Sequence, residues 1–296
     1  MSEAPRDGDA ITFTVVVPCH DRAELAVEVV SRLVDLGCPT IAVDDGSSPP
    51  IAFRPHPLLQ VILIPPSGAA TARNRGAAWA TTPWLVFTDS DTLWSGGTLQ
   101  VLKEAVAEAL PRTWIVGVTR IPDGERTIVA NWMRRLAARD RVGDPGTVNL
   151  ATGLVACRRS EFLDVGGFLT SISGSGGEDW ELGQRVRHCG YKIVPVSEWS
   201  AENHDTPFTF RRLLARERNY QRQARRLRES NVPGADGWLD LESHRLRDRV
   251  SIALATPAVI TLLDKLGTVP DQLRLGILLD PLYRAAVSGY LRSNVS

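Results

Sequence analysis

The 296-residue chain predicts an α/β fold, with a mostly parallel central sheet, helices on both faces and a helical C-terminal extension. Three observations carry that expectation. Short β-branched runs alternate with longer amphipathic segments, the pattern of strands joined by helical crossovers. Three of those runs finish in polar or glycine-bearing turns, DDGS, PPSG and TDSD, and in a parallel sheet such ends lie along one edge, where ligands bind. After about Asp205 the β-branched runs give way to a helical, arginine-rich pattern.

The elements follow in order. Residues 1–10 are polar and are expected to form a disordered tail. TFTVVVP, Thr12 to Pro18, is continuously apolar, as a strand covered on both faces should be. In RAELAVEVVSRLVDLG, Leu25, Val29, Leu33 and Leu36 recur at helical spacing, and Gly37 suits the stop. TIAVDDGS reads as a second strand ending in Asp44 and Asp45, and LQVILIPPSG as a third ending in Pro65, Pro66 and Gly68. A helix through ATARNRGAAWA leads to LVFTDSDT, where an apolar run meets two carboxylates one residue apart. From Val148 the pattern changes to NLATGLVACRRSEFLDVGGF, then a glycine- and serine-rich loop, SISGSGGEDW, a helix, ELGQRVRHCG, and a strand, YKIVPV. The expected organisation is a tail over 1–10, an α/β domain over 11–205 and a helical region over 206–296.

Bulk properties narrow the function. A 43% hydrophobic composition supports one large core. Lys+Arg 34 against Asp+Glu 34 leaves no net charge, so no nucleic-acid footprint is expected. Nearly all positive charge is arginine, which suits bidentate contacts to phosphate, although codon bias explains it equally well. Cys19, Cys38, Cys157 and Cys189 show no metal-like spacing and read as small core residues in a reducing compartment. The N-terminus has no signal-type apolar stretch, and Val250 to Leu263 is broken by Pro257 and falls short of the ~20 residues a spanning helix needs. A soluble, cytoplasmic protein is expected.

Asp89 and Asp91, read as an extended strand end, would face one side and repel each other unless a divalent cation joins them. Mg²⁺-like ions are held by one or two carboxylates plus substrate phosphates. The competing reading is a strand end whose aspartates are solvated or cap the next helix. DDGS is open in the same way, since Asp44 or Asp45 can bond neighbouring amides or accept from a nucleoside.

Taken together these residues resemble the inverting, nucleotide-sugar-dependent glycosyltransferases of family 2, with the Rossmann-like GT-A fold. VVVPCHDR resembles the family's opening strand, VDDGS its nucleoside-binding turn, SGAATARNRG its G-x-x-x-A-R-N-x-G helix start and TDSD its metal motif. Gly153, RRSEFLDVGGF and GGEDWELGQRVRHCGYKI follow the acceptor-side pattern, so the resemblance runs from about Thr12 to His204. It departs at His20-Asp21, where the family usually has Tyr-Asn or Phe-Asn.

The resemblance implies a metal-dependent transfer of a sugar from a nucleotide diphosphate donor, most simply a UDP-sugar, with Mn²⁺ or Mg²⁺ as cofactor. It implies donor contacts from Pro18, Asp44, Asp45, Arg73 and Asp89, with Asp45 nearest the base. Asp91 would ligate the metal, with Asp89 beside it and His204 as a further ligand. Asp179 would be the general base and Glu178 would shape the acceptor site. Each residue also has a structural reading: Arg73 as a solvated helix residue, His204 as an ordinary loop histidine, Glu178 and Asp179 as acidic residues at a helix start, Trp180 as core packing instead of a sugar platform. Gly166 and Gly167 are expected to serve backbone geometry. A metal-dependent nucleotidyltransferase and a non-catalytic nucleotide-sugar-binding domain are the alternative functions. FTFRRLLARERNYQRQARRLRES places eight arginines on one helix, either as a solvated face or as a surface for the donor diphosphate or an anionic membrane, and the apolar Val250 to Leu263 segment of the same C-terminal region is expected to pack as a helix or to mediate a homodimer.

Overall fold

In the computed structural model, residues 13–140, 150–171, 177–205, 207–229, 256–271 and 275–294 are described. The expected tail, the loop residues 172–176 and the first part of the Val250–Leu263 run lie outside these. The chain forms two compact units: residues to 120, with 145–173 and 185–203, make the first, and 121–144, 174–184 and 204 onward make the second.

The first unit is built on an eight-stranded sheet. Its strands are β1 (Phe13–Cys19), β2 (Thr40–Asp45), β3 (Leu59–Ile64), β4 (Trp84–Thr88), β5 (Thr92–Leu93), β6 (Thr113–Arg120), β7 (Leu154–Arg158) and β8 (Lys192–Asn203). They are ordered β3-β2-β1-β4-β7-β6-β8-β5. β3, β2, β1 and β4 are mutually parallel, as are β6 and β8, whereas β7 and β5 run against their neighbours. The mostly parallel sheet expected from the alternation is therefore present, with two reversed strands.

Register fixes where the motifs end. Cys19 stands beside Asp44 and Asp45 beside Ile64, so DDGS and PPSG leave the sheet at one edge, and TDSD leaves the parallel strand β4 there too. All seven residues of β1 are buried, which explains its largely apolar character, and its polar side chain, Thr14, shares a hydrogen bond with the Thr82 hydroxyl at 2.8 Å.

α1 (Ala23–Asp35) buries Ala26, Val29, Val30, Leu33 and Val34, a stripe of helical period shifted from the expected one, in which Leu25 and Leu36 are only half-buried. Gly37, with φ 83, closes it: its N–H donates to Val34 and that of Cys38 to Leu33, satisfying orphan carbonyls. α2 (Ala69–Trp79), α3 (Gly96–Ala107) and α5 (Arg159–Asp164) belong to the same unit. α3 starts with a reciprocal cap between Ser95 and Thr98.

The second unit is helical: α4 (Ile128–Asp140), the start of α6 (Glu178–His188), α7 (Phe210–Glu229), α8 (Pro257–Gly267) and α9 (Leu275–Asn294). Its core stacks Trp132 on Tyr283 at 5.1 Å and sets Phe210 edge-on to Tyr283 at 4.8 Å, with Leu213, Leu214 and Leu263 around them. α7 buries Leu213, Leu214, Gln223 and Leu227 and exposes Arg211, Arg212, Arg216, Arg222, Arg225 and Arg226. The arginine helix is thus amphipathic, with Arg211 paired to Asp264 at 3.3 Å and Arg212 to Asp205 at 3.4 Å. Among the described residues no helix is long and apolar enough to cross a membrane.

Candidate functional site

Strand ends place the first group. Pro18 is buried within β1, and Asp44 and Asp45 close β2, 2% and 6% exposed. Asp44 accepts from the backbone N–H of Ser47 at 2.9 Å and of Ile51 at 2.8 Å, so its carboxylate holds the DGSSPPI loop in shape. Burial pushes the Asp44 carboxyl up, but the hydrogen bonds from Ser47 and Ile51 and the nearby His20 outweigh it and hold the group below its ordinary value. Asp45 accepts from the N–H groups of Ser67 and Gly68, each at 2.7 Å. Gly68 is the N-cap of α2 and its side chain can cap nothing, so Asp45 supplies the anion that this helix start favours. The exposed His20 donates from Nδ1 to the Asp45 carbonyl at 2.8 Å.

α2 carries the second group. Arg73 is 3% exposed and its Nη2 lies 2.7 Å from Asp89 Oδ1, while its guanidinium sits over the Phe168 ring at 5.4 Å. The alternative reading of Arg73 as a solvated helix residue does not hold, because its position on α2 turns it into the protein, where a carboxylate and an aromatic face receive it. The next residue, Asn74, brackets Phe168, donating to its carbonyl at 2.8 Å and accepting from its N–H at 2.9 Å. Gly76 completes the motif by close approach, since a Cβ there would stand 2.3 Å from Val16 Cγ1. Gly166 and Gly167, just before Phe168, both have left-handed φ, 81 and 66, in line with a backbone role.

The DSD segment departs from the extended geometry expected of it. Thr92 N–H donates to the Asp89 carbonyl at 3.1 Å, so Asp89 to Thr92 is a tight turn linking β4 to β5. The carboxylates serve different neighbours as a result. Asp89 pairs with Arg73 and lies beside Gly153, whose missing Cβ would stand 3.6 Å from Asp89 Oδ2. Gly153, expected on the acceptor side, thus keeps backbone close to Asp89. Asp91 accepts from Asn203 Nδ2 at 2.8 Å through Oδ1, and its Oδ2 lies 3.7 Å from Arg22 Nη1.

Glu178, Asp179 and His204 belong to the second unit. Glu178 is 6% exposed, and Asp179 and His204 are half-buried. Glu178, Asp179 and Glu181 crowd the first turn of α6, where the helix dipole favours negative charge, and Asp179 Oδ1 accepts from the Trp180 N–H at 2.8 Å. Trp180 is 7% exposed, which favours packing over a sugar platform. Burial pushes the Tyr220 phenol up to about 12; Arg216 opposes this, and the charges of Asp179, Glu217 and Glu178 add to it.

Residues not singled out from the sequence are Arg22, Asn74 and Asn203. Asn74 was within reach, since it sits inside the quoted A-R-N-x-G pattern. Arg22 and Asn203 were not, because nothing local links a helix start or the end of β8 to Asp91. Of the cysteines, Cys19, Cys38 and Cys157 are buried as expected, and burial pushes the thiols of the first two up to about 12 and about 11. Cys189 is exposed, because it lies just beyond the end of α6 and not within it.

Residues 145–206 match the model described as the N-terminal domain of galactosyltransferase. The pre-mycofactocin glycosyltransferases of two Mycobacterium tuberculosis strains are 31% identical over 196 residues, covering 61% of this chain and 40% of theirs. The chain thus spans well under two thirds of those relatives' length. Among solved structures, the mannosyltransferase PcManGT from Pyrobaculum calidifontis, in complex with GDP-Man and Mn²⁺, superposes with a TM-score of 0.60 at 18% identity, covering 99% of this chain and 89% of that one. GalNAc-T7 with UDP, GalNAc and Mn²⁺ gives a TM-score of 0.50 at 17% identity over 74% of this chain and 48% of its own. These likenesses establish the fold as GT-A. The model described as glycosyl transferase family 2 matches residues 14–166, more than half of the chain, and the protein therefore belongs to glycosyl transferase family 2.

Proposed function

We propose that the protein transfers a sugar from a nucleotide diphosphate donor to an acceptor hydroxyl or other nucleophile, with inversion, using Mn²⁺ or Mg²⁺. One observation supports this most: Asp45, the Arg73–Asp89 pair and Asp91 all stand where β2, β4 and α2 meet one edge of the sheet. On this reading Asp45 faces the nucleoside, beside Pro18 and the loop shaped by Asp44. Arg73 keeps positive charge beneath the donor, and Asp89 lies near the ribose.

Asp91 is the residue best suited to hold the cation, with Asp89 beside it and His204 as the further candidate. Among the described residues no three His, Cys, Asp or Glu side chains gather into a metal cluster, so the remaining ligands would come from the diphosphate and water. The ion supplies Lewis-acid neutralisation of charge growing on the leaving group. Asp179 takes the acceptor proton, a contribution of roughly 10²- to 10⁴-fold, and Glu178 shapes the acceptor side. Direct attack opposite the departing diphosphate inverts the anomeric centre.

The two solved neighbours were captured with different bases, guanine and uracil, so the UDP-sugar expectation needs its own test. A thermal-shift panel of UDP, dTDP and GDP sugars, with and without Mn²⁺, tests the reading through binding linkage. Stabilisation by one sugar nucleotide, enhanced by Mn²⁺, is the expected result; no stabilisation by any would overturn it. The name of the mycobacterial relatives makes pre-mycofactocin the first acceptor to assay with the donor so identified.

A further inference from the structure

Arg22 is an expensive residue for its position. It is the N-cap of α1, with φ 45 and ψ 45, and Asp21 before it has φ 52. Left-handed backbone is unfavourable for a non-glycine residue, and Asp or Asn tolerates it better than Arg. A cation at a helix N-terminus also opposes the macrodipole, and the Arg22 side chain makes no cap hydrogen bond. The turn is nevertheless held in place: Asp21 N–H donates to Ser47 Oγ at 2.8 Å, and Ser48 N–H to Asp21 Oδ1 at 3.4 Å. The result is aim, because Arg22 Nη1 reaches within 3.7 Å of Asp91 Oδ2 while Asn203 fixes Oδ1 at 2.8 Å. Strain of this kind, stored where it points one side chain at one carboxylate, is characteristic of functional sites.

We propose that Arg22 is the resident counter-ion of Asp91, that it competes with the divalent cation for this carboxylate, and that it pairs with the donor diphosphate once cation and donor are bound. The inference rests on the reading of Asp91 as a cation ligand. A divalent cation held by Asp91 would bring a second positive charge beside the guanidinium, which opposes metal binding in the absence of donor. A diphosphate held by that cation would reverse the balance, since its oxygens can accept hydrogen bonds from a guanidinium whose side chain is 48% exposed. Arg22 thereby links the two ligands, so that each binds better with the other present.

The test is Mn²⁺ binding to the full chain by electron paramagnetic resonance, alone, together with calorimetric binding of UDP and GDP at saturating Mn²⁺. The variants are Arg22→Gly, which accepts left-handed backbone without strain, Arg22→Lys and Asp91→Asn. Arg22→Gly is expected to bind Mn²⁺ alone about 5-fold more tightly, as loss of a part-exposed ion pair allows, and nucleoside diphosphate about 10-fold more weakly. Arg22→Lys should stay near wild type in both. A merely structural residue would weaken both arms or neither, and either result overturns the role of Arg22 provided that Asp91→Asn loses Mn²⁺. Unchanged Mn²⁺ binding in Asp91→Asn overturns the metal site itself, and the counter-ion role with it.

Discussion

Replacing either partner of the Arg73–Asp89 pair should cost more than a surface ion pair and less than a buried one, and the structure says by how much. The contact is 2.7 Å long; the Arg73 side chain is 4% exposed and that of Asp89 35%. Exposed pairs contribute about 0.2 to 1 kcal/mol, whereas removing one partner of a fully buried pair costs about 3 to 5 kcal/mol. Here water reaches one carboxylate but not the guanidinium, and the Phe168 face receives part of that cation's charge. Asp89→Asn, which keeps the shape, should destabilise by about 2 kcal/mol, the range of a hydrogen bond to a charged group. In a double-mutant cycle with Arg73→Met, the coupling should be about 1.5 kcal/mol. Urea unfolding followed by fluorescence of the buried Trp84, Trp94, Trp114 and Trp199 of the first unit measures it. Coupling below about 0.5 kcal/mol would mean that Asp89 does not hold Arg73, and the account of the A-R-N motif would fall.

Four further outcomes are expected. Gly76→Ala gains about 1 kcal/mol of helix propensity but forces a Cβ to 2.3 Å from Val16 Cγ1, so overpacking of up to about 3 kcal/mol should prevail and lower the melting temperature. Asp91→Ala should abolish metal-stimulated donor hydrolysis and transfer with the fold intact by circular dichroism; full activity with unchanged metal dependence would refute the site. Asp179→Asn should keep nucleotide binding by calorimetry while transfer falls roughly 10²- to 10⁴-fold in a product assay. The Asp44 carboxyl lies lower in the folded chain than its unfolded value near ~3.9, so its stabilisation is fully present above that pH and is lost as pH falls through the folded value. The melting-temperature gap between wild type and Asp44→Asn should therefore be widest above about pH 4 and close on further acidification.

The parts of the fold that follow from chain period were legible. Continuous apolar runs gave β1, β2 and β4, and Asp-Gly and Pro-Pro-Ser-Gly marked where strands leave the sheet, because burial and turn chemistry are local. The reversal of β7 was not legible: LVACR is as apolar as a parallel strand, and its direction is set by pairing with β4 and β6. The DSD segment shows the same limit. Alternation places two carboxylates on one side of an extended chain, but a single bond from Thr92 N–H to Asp89 turns the chain and sends them to different partners. Long-range partners such as Asn203 for Asp91, 112 positions apart, leave no trace in spacing.

The hydrogen bonds of α2 show why the motifs come as a set. The N–H groups of Ser67 and Gly68, at the entry to this helix, are bound by Asp45, so the proposed nucleoside-facing carboxylate also fixes where the helix begins. From that origin Arg73 reaches Asp89 and Asn74 reaches Phe168, while Gly76 lets the same helix press against Val16 of β1 and Val43 of β2. A helix held at its start, along one side and on the sheet is rigid, and rigidity transmits position. The end of β2 and the turn after β4 are thereby kept at a fixed spacing by one short element. On the proposed reading, a donor whose nucleoside and diphosphate ends bind at those two places would meet a site whose spacing is already fixed, which is where preorganised charge contributes most.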